Sequence, residues 1–363
     1  MHTRGHERTF DYEGQVLGMV PLHQDIPDID DPGTGYLWTD AEKQGTTLRN
    51  YGEFIVTHWC RNGAKTVSPK TGLPVAGGSC QEKFVCQGQS LPSNVGKPRG
   101  SSSPWPWPIP MVVSNEPTKP ALEDHLDPCF AGFRLDYPDQ LRVDEFLNEF
   151  KEFVRARVTG RGSQLPRLII VRLGNDHTAG TKPGFPTPAA SVADSDLAVG
   201  RLVDAVSHSP YWDDTAILIL EGDVQDGVDH VDAHRSTALV VSKYSPGSTG
   251  KPFIDHHFYT TVNMIRTIEE MLGLPPMNNN DAQAAPMAPM FSGSGHQPPF
   301  RADYRNRTNG LIYKMNSIKA VGAEQSAQMD FSHADRANPA ELNAILWRNR
   351  KGNIPMPKPR HIF

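Results

Sequence analysis

The segment most informative about the fold is TAILILEGDVQDGVDHVDAHRSTALVV, residues 215–241. Two apolar runs, 215–220 and 237–241, enclose an acidic segment that contains two histidines. Apolar runs of this length, rich in β-branched residues, are typical of buried strands. Carboxylates and imidazoles at the end of a buried strand are costly to desolvate unless a cation or hydrogen bonds compensate them. The pattern therefore predicts a metal site at the carboxyl edge of an α/β sheet.

A second cluster of the same kind follows another predicted strand, residues 167–173. Asp176 and His177 lie where this apolar run gives way to a loop. Because ligands in open α/β sheets bind outside the carboxyl ends of the strands, the two clusters are expected to converge on one site. The alternative for any single residue is structural, since Asp is a common turn former. The joint occurrence of both clusters favours the metal site.

Composition limits the class of protein. The 363 residues can form one large α/β domain or two smaller ones. The net charge of -5 gives no basic surface of the kind that binds nucleic acid. No apolar run reaches the roughly 18 residues that a transmembrane helix needs. The first residues lack the apolar segment of a signal peptide, so the chain as given is expected to stay in the cytoplasm.

The four cysteines leave two alternatives open. They are Cys60, Cys80, Cys86 and Cys129, and their spacings match no common zinc motif. An even number in and beside a segment poor in regular structure predicts a disulfide framework if the protein is exported. The alternative is reduced thiols in a cytosolic chain.

The remaining periodicities predict alternating helices and strands. Helices are expected at 39–49, 143–158, 188–207, 258–272 and 339–348, and a further strand at 51–56. This alternation predicts a doubly wound, mostly parallel sheet. A long Pro/Gly/Ser-rich insertion spans 61–128 within a domain of residues 1–277. Residues 278–363 are expected to form a carboxyl-terminal extension that packs on this domain.

Several motifs resemble one known family. They are LGNDHTAGT at 173–181, PTPAA at 186–190, DHVDAHR at 229–235, RTIE at 266–269, LPPM at 274–277 and DFSHAD at 330–335, with GYLW at 35–38 and RNYGEF at 49–54. Together they resemble the bacterial phosphoesterase family that contains phospholipases C and acid phosphatases, within the alkaline phosphatase superfamily. The resemblance extends over nearly the whole chain, as a carboxyl-terminal portion of such a protein.

The resemblance implies a fold, an activity and a set of site residues. The fold is an alkaline phosphatase-like α/β domain, and the activity is metal-dependent hydrolysis of phosphate mono- or diesters. Implied metal ligands are Asp176, His177, Asp223, His230 and His234, and implied substrate contacts are Thr178 and Lys182. One or two divalent ions (Zn, Mn or Ca) suit such ligands. The implied substrate is a small phosphate ester or a phospholipid headgroup, and the implied location is periplasmic or secreted.

Two departures from the family pattern bear on activity. The family's first strand and its nucleophile lie upstream of the segment at 35–38, and neither is found in this chain. Gly222 stands where the family has an acidic residue, so a second metal retains little beyond Asp223. The expectation is a truncated or inactive form, or one that receives its amino-terminal half from a partner chain. The rival class is a non-catalytic binding or scaffold domain. An esterase acting through a loop Ser or Thr lacks the Gly-x-Ser-x-Gly motif.

Overall fold

The structure, a computed structural model, describes residues 35–60, 104–107, 109–221, 236–248, 250–331 and 337–357. This part of the chain is a mixed α/β protein. Its helices are α1 Leu37–Lys43, α2 Asp139–Thr159, α3 Pro188–Ser207, α4 Thr261–Leu272, α5 Asn279–Ala282, α6 Arg305–Thr308, α7 Ala323–Gln328 and α8 Pro339–Lys351. Its strands are β1 Leu48–Tyr51, β2 Ile55–Cys60, β3 Met111–Pro117, β4 Leu168–Val171, β5 Ala216–Leu220, β6 Ala238–Ser242, β7 Gly247–Ser248 and β8 Lys251–Pro252.

The described strands pair in short, two-stranded sheets. β1 and β4 are parallel, with a register that runs from Leu48 opposite Leu168 to Tyr51 opposite Val171. The pairs β2–β3, β5–β6 and β7–β8 are antiparallel. The far edge of β1 also carries a parallel bridge, from Asn50 to Leu126. The predicted α/β class is therefore confirmed in its coarse form, with one parallel pair among the described strands.

Two hydrophobic cores enclose β4 and β5. The first core, on one side, contains Leu168, Ile170, Leu218 and Leu220 from the two strands, together with Trp38 of α1 and Ile265 of α4. The second core, on the other side, contains Ile169, Val171 and Ile217, together with Phe146 and Phe150 of α2 and Val206 of α3. Since side chains alternate across a strand, each strand contributes to both cores. β4 and β5 thus lie in one layer between two layers of helices.

The helix that follows the loop of Asp176 and His177 begins and ends where the sequence predicts. Pro188 is the first residue of α3, where its missing amide hydrogen costs nothing. The hydroxyl of Thr187 accepts a hydrogen bond from the Ala190 amide at 3.2 Å. This N-cap hydrogen bond stabilises the first turn of α3, and the helix spans 188–207 as expected.

The predicted helix at 39–49 is wrong in its bounds. α1 begins at Leu37 and ends at Lys43, and Gly45 follows with a φ of 68°. This left-handed turn ends the helix, and residues 48–51 pair with β4 instead. The described part of the Pro/Gly/Ser-rich insertion, residues 104–107 and 109–128, contains regular structure and a buried core. It contains β3, and its Trp105 and Trp107 are buried in a third core with Trp59.

No helix in the described ranges is both long and apolar enough to cross a membrane.

Candidate functional site

The candidate site lies in the loop that follows β4. Asp176 and His177 belong to a 3-10 turn, Asn175–His177. The carboxylate of Asp139, at the start of α2, accepts backbone hydrogen bonds from Gly174 at 3.3 Å and from Asn175 at 3.0 Å. The turn that carries the predicted ligands is therefore attached to the first turn of α2.

A buried carboxylate on α3 fixes the same turn from a second side. Asp194 Oδ2 accepts hydrogen bonds from the Asn175 side-chain amide and from the Asp139 backbone amide, both at 2.7 Å. Burial, and next the negative charge of Asp139, raise the pKa of Asp194 above its usual range. Two buried acids thus hold the turn through donors on Asn175 and its neighbours.

One buried arginine compensates this acidic pair. Arg142 is 1% exposed, and its Nη1 lies 2.8 Å from Asp139 Oδ1. Its remaining donors bind backbone carbonyls of Ala131, Gly132, Arg134 and Tyr137. A guanidinium satisfied in this way ties residues 131–137 to the base of the site. The sequence prediction missed Asp139, Arg142 and Asp194, because their partners are distant along the chain.

Asp176 is a carboxylate with acidic neighbours. Its side chain is exposed to solvent, but the surrounding protein still raises its pKa by desolvation. The charges of Asp139 and of Glu221, at the end of β5, raise the pKa further, and His177 opposes them. Among the described residues no lysine or arginine forms an ion pair with Asp176. The negative charge around Asp176 therefore favours a bound cation.

His177 presents one nitrogen to the site in the form that a metal binds. Its Nδ1 lies 2.9 Å from the carbonyl oxygen of Thr178. A carbonyl only accepts, so Nδ1 carries the hydrogen, and the neutral ring keeps its lone pair on Nε2. Edge contacts with Phe133, at a ring distance of 5.4 Å, and Phe331, at 6.4 Å, fix the ring plane. A ring nitrogen that donates to a backbone carbonyl is the usual support of a metal-binding histidine.

The two predicted substrate contacts lie just beyond His177. Thr178 is buried and has φ 59° and ψ 165°, a combination that ordinary side chains rarely adopt. Its hydroxyl accepts a hydrogen bond from the Gly180 amide at 3.0 Å. The ammonium of Lys182 lies 5.2 Å from the ring centre of Phe185 and 5.9 Å from that of Phe331. Lys182 therefore places a positive charge beside Phe331, which also contacts the His177 ring.

The other predicted ligands, Asp223, His230 and His234, lie outside the described residues. The two ends of the segment that contains them are described, and they meet. Ser236 Oγ donates to Glu221 Oε2 at 3.1 Å, and the Glu221 amide donates to the Thr237 carbonyl at 3.2 Å. Since the charge of Glu221 acts on Asp176, the described ends of this segment lie near Asp176. The convergence of all five ligands stays a prediction.

A second group with ligand-type atoms has a structural explanation. Atoms of Asp127, Cys129 and Glu145 lie within 4.8 Å of one another. However, Asp127 already accepts hydrogen bonds from the Cys129 amide at 2.7 Å and the Phe130 amide at 2.8 Å, and it pairs with Arg49 at 3.4 Å. The Asp127 carboxylate is therefore already bound by two backbone amides and by Arg49. The described residues contain no free cysteine, and the predicted disulfide framework stays a prediction.

Comparison of the chain with models of known families, with curated proteins and with solved structures finds no match. The resemblance described above therefore stays an expectation that only the motifs support.

Proposed function

We propose that the chain is a metal-dependent phosphoesterase-like protein of the alkaline phosphatase type that binds and slowly hydrolyses phosphate mono- or diesters. The observation that carries this proposal is the position of Asp176. It follows β4 and lies near enough to Glu221, at the end of β5, for the two charges to interact. The described ends of the acidic segment, Glu221 and Ser236, contact each other there. Carboxylates gathered at strand ends are the expected setting of a metal-dependent hydrolase.

The residues present fit a divalent cation. Asp176 would offer a carboxylate oxygen and His177 its Nε2, with Asp223, His230 and His234 as further candidates. Such a mixed set suits zinc, manganese or calcium. When bound, the ion supplies Lewis-acid polarisation of a phosphoryl oxygen. Lys182 would neutralise part of the phosphate charge from the side of Phe331. The strained backbone of Thr178 fixes the direction of the Thr178 carbonyl, which His177 Nδ1 contacts.

The fold and the ligand class belong to the same proposal. β4 and β5 lie between two helical layers, which supports a doubly wound, alkaline phosphatase-like sheet. The ligand would be a small phosphate ester or a phospholipid headgroup. The family resemblance favours a periplasmic or secreted protein.

The second candidate function is a binding or scaffold domain without turnover. Gly222 stands where the resemblance expects an acidic ligand, and no nucleophile is assigned. A chain that keeps one metal position and lacks an activated nucleophile binds phosphate esters but hydrolyses them poorly.

Calorimetric titration of the metal-free protein with zinc, manganese and calcium tests the proposal. We expect Asp176→Asn and His177→Ala each to weaken binding of the preferred ion by about tenfold or more, as loss of a ligand does. Asp124→Asn is the matched control, since Asp124 is exposed and lies away from this loop. Undiminished binding in Asp176→Asn would overturn the metal assignment. Titration of the loaded protein with phenyl phosphate then separates phosphate-ester binding from simple metal binding.

A further inference from the structure

The last turn of α8 carries three basic side chains that face solvent. Arg348, Arg350 and Lys351 belong to this turn, and all three are exposed. No aspartate or glutamate occurs between residues 342 and 357, although the whole chain has a net charge of -5. Within the described ranges, none of the three forms an ion pair with a carboxylate. The end of α8 is therefore a local concentration of positive charge on a chain that is acidic as a whole.

Apolar side chains lie beside these charges. The chain folds back after α8, and Trp347 Nε1 donates a hydrogen bond of 2.6 Å to the carbonyl oxygen of Ile354. The ammonium of Lys351 lies 5.8 Å from the centre of the Trp347 ring. Ile354 is 59% exposed and Met356 is 46% exposed. Basic and apolar side chains thus share one surface, residues 347–357, which we call the α8 patch.

The helix that carries the α8 patch packs against the candidate-site loop. Leu342 and Ile345, in the first half of α8, are fully buried in a core that also contains Phe331. A β-carbon at Gly180 would lie only 3.0 Å from Leu342 Cδ1, so the loop and the helix are in close contact. From Leu342 to Lys351 the helix rises by about 14 Å, at about 1.5 Å per residue. The α8 patch therefore has a fixed position relative to that loop.

The composition of the α8 patch distinguishes between possible partners. Basic side chains attract any polyanion, whether a nucleic acid, an acidic protein or an anionic membrane. Exposed aliphatic side chains gain free energy only where they can enter an apolar phase. An anionic bilayer offers both, because its headgroups are negative and its acyl chains begin within about 5–10 Å of them. Single-stranded nucleic acids bind mainly by stacking on aromatic rings, and Lys351 already contacts the Trp347 ring.

We propose that the α8 patch binds the surface of a membrane that contains anionic phospholipids. Arg348, Arg350 and Lys351 lie among the lipid phosphates in the bound state, and Ile354 and Met356 insert between the headgroups. Three charges and two aliphatic side chains supply a modest free energy, so the association is peripheral and reversible. The inference rests on this exposed surface and does not depend on the proposed function.

Sedimentation of the full chain with lipid vesicles tests the proposal. We expect binding to vesicles of phosphatidylcholine with about 30% phosphatidylglycerol, and its loss in about 0.5 M NaCl, because salt screens the charges. Vesicles of phosphatidylcholine alone should bind far less. Combined replacement of Arg348, Arg350 and Lys351 by glutamine should weaken binding by about a hundredfold, since each basic side chain contributes about fivefold.

Two further variants separate the α8 patch from net charge and from charge alone. Combined replacement of Lys151, Arg155 and Arg161 by glutamine removes the same charge from exposed positions on and just after α2. This control should change vesicle binding by less than about twofold. Ile354→Ser with Met356→Ser keeps every charge and should weaken binding by about tenfold, because the inserted apolar surface is lost. All variants should melt at the temperature of the unchanged chain, since only exposed side chains differ.

Four results would overturn the proposal. The first is no binding to the anionic vesicles. The second is equal binding to both kinds of vesicle, which would exclude a role for charge. The third is an equal loss in the two glutamine variants, which would mean that net charge and not the α8 patch attracts the protein. The last is undiminished vesicle binding by the serine variant together with tighter binding of a short oligonucleotide, which would assign the surface to nucleic acid.

Discussion

The side-chain amide of Asn175 donates a hydrogen bond of 2.7 Å to Asp194, and the next residue in the chain is Asp176. A buried acid in the middle of α3 therefore holds the residue before the principal candidate ligand. The same oxygen accepts the Asp139 amide, so one atom fixes both the turn and the start of α2. This oxygen and the Asp139 carboxylate, which accepts from the amides of Gly174 and Asn175, together hold the turn that carries the candidate ligands.

Two substitutions of Asp194 should separate its role as a hydrogen-bond acceptor from the role of its negative charge. Asp194→Ala leaves three buried donors without an acceptor, and we expect it to lower the free energy of unfolding by about 2–5 kcal/mol. Asp194→Asn keeps an oxygen for the two donors that bind Oδ2, so we expect a loss of about 1 kcal/mol. Urea unfolding measures both. Asp196→Ala, an exposed position on the same helix, is the control and should change stability by less than about 0.5 kcal/mol.

Glu269 should make stability fall as the pH rises. It is fully buried on α4, and burial, then Asp281, raise its pKa to about 8 from the usual 4.5. Asp281 accepts amide hydrogen bonds from Met277 and Asn278 at 2.8 Å, and a side-chain hydrogen bond joins it to Glu269. Between about pH 4.5 and pH 8 the native state holds this proton and the unfolded chain does not. Stability should therefore decrease across that interval, by at most about 1.4 kcal/mol per pH unit.

Glu269→Gln tests this assignment, because its amide donates to Asp281 at every pH. Urea unfolding from about pH 5 to about pH 8 should show a shallower decline for this variant. Glu270→Gln, at the exposed neighbouring position, should keep the original slope. A decline of the same steepness in Glu269→Gln would mean that the proton lies elsewhere.

Thr178 should tolerate glycine better than alanine. Its backbone, at φ 59° and ψ 165°, costs a residue with a side chain about 1–3 kcal/mol, and both variants lose the hydroxyl that binds the Gly180 amide. Glycine has the larger conformational entropy in the unfolded state, which offsets part of the relief of backbone strain. We therefore expect Thr178→Gly to be more stable than Thr178→Ala by about 1 kcal/mol. At Thr159, the last residue of α2, the order should be reversed. Thermal unfolding of the four variants compares the two positions directly.

The chain by itself should hydrolyse an aryl phosphate very poorly. Covalent phosphoester hydrolysis requires an activated nucleophile, and the sequence assigns none. With p-nitrophenyl phosphate and each of the three candidate ions we expect turnover well below about 1 per second. Metal-dependent turnover at or above that rate, lost in Asp176→Asn, would show that the chain contains its own nucleophile.

Local sequence signals were sufficient where structure is decided locally. The Thr187–Pro188 start defined α3, and the apolar run before Asp176 located the strand end at which the candidate site lies. The acids that hold the site were not predictable in this way. Asp139 binds residues 35 and 36 positions away, and no periodicity marks it as different from an ordinary first-turn Asp. β3 was missed because its strand partner, β2, lies across the proline-rich insertion.

The loop that contains Lys182 is tied to the far end of the chain. The Thr181 amide donates to Ser326 Oγ at 3.1 Å, across a separation of 145 residues, and the Thr181 hydroxyl donates to the Val321 carbonyl at 2.7 Å. Asn316 adds donor contacts to the carbonyls of Gly180 and Lys182. During synthesis these partners emerge from the ribosome long after the loop itself. The loop therefore takes its final shape only after residues 316–326 have been synthesised, so its folding is set by distant contacts rather than by its local sequence.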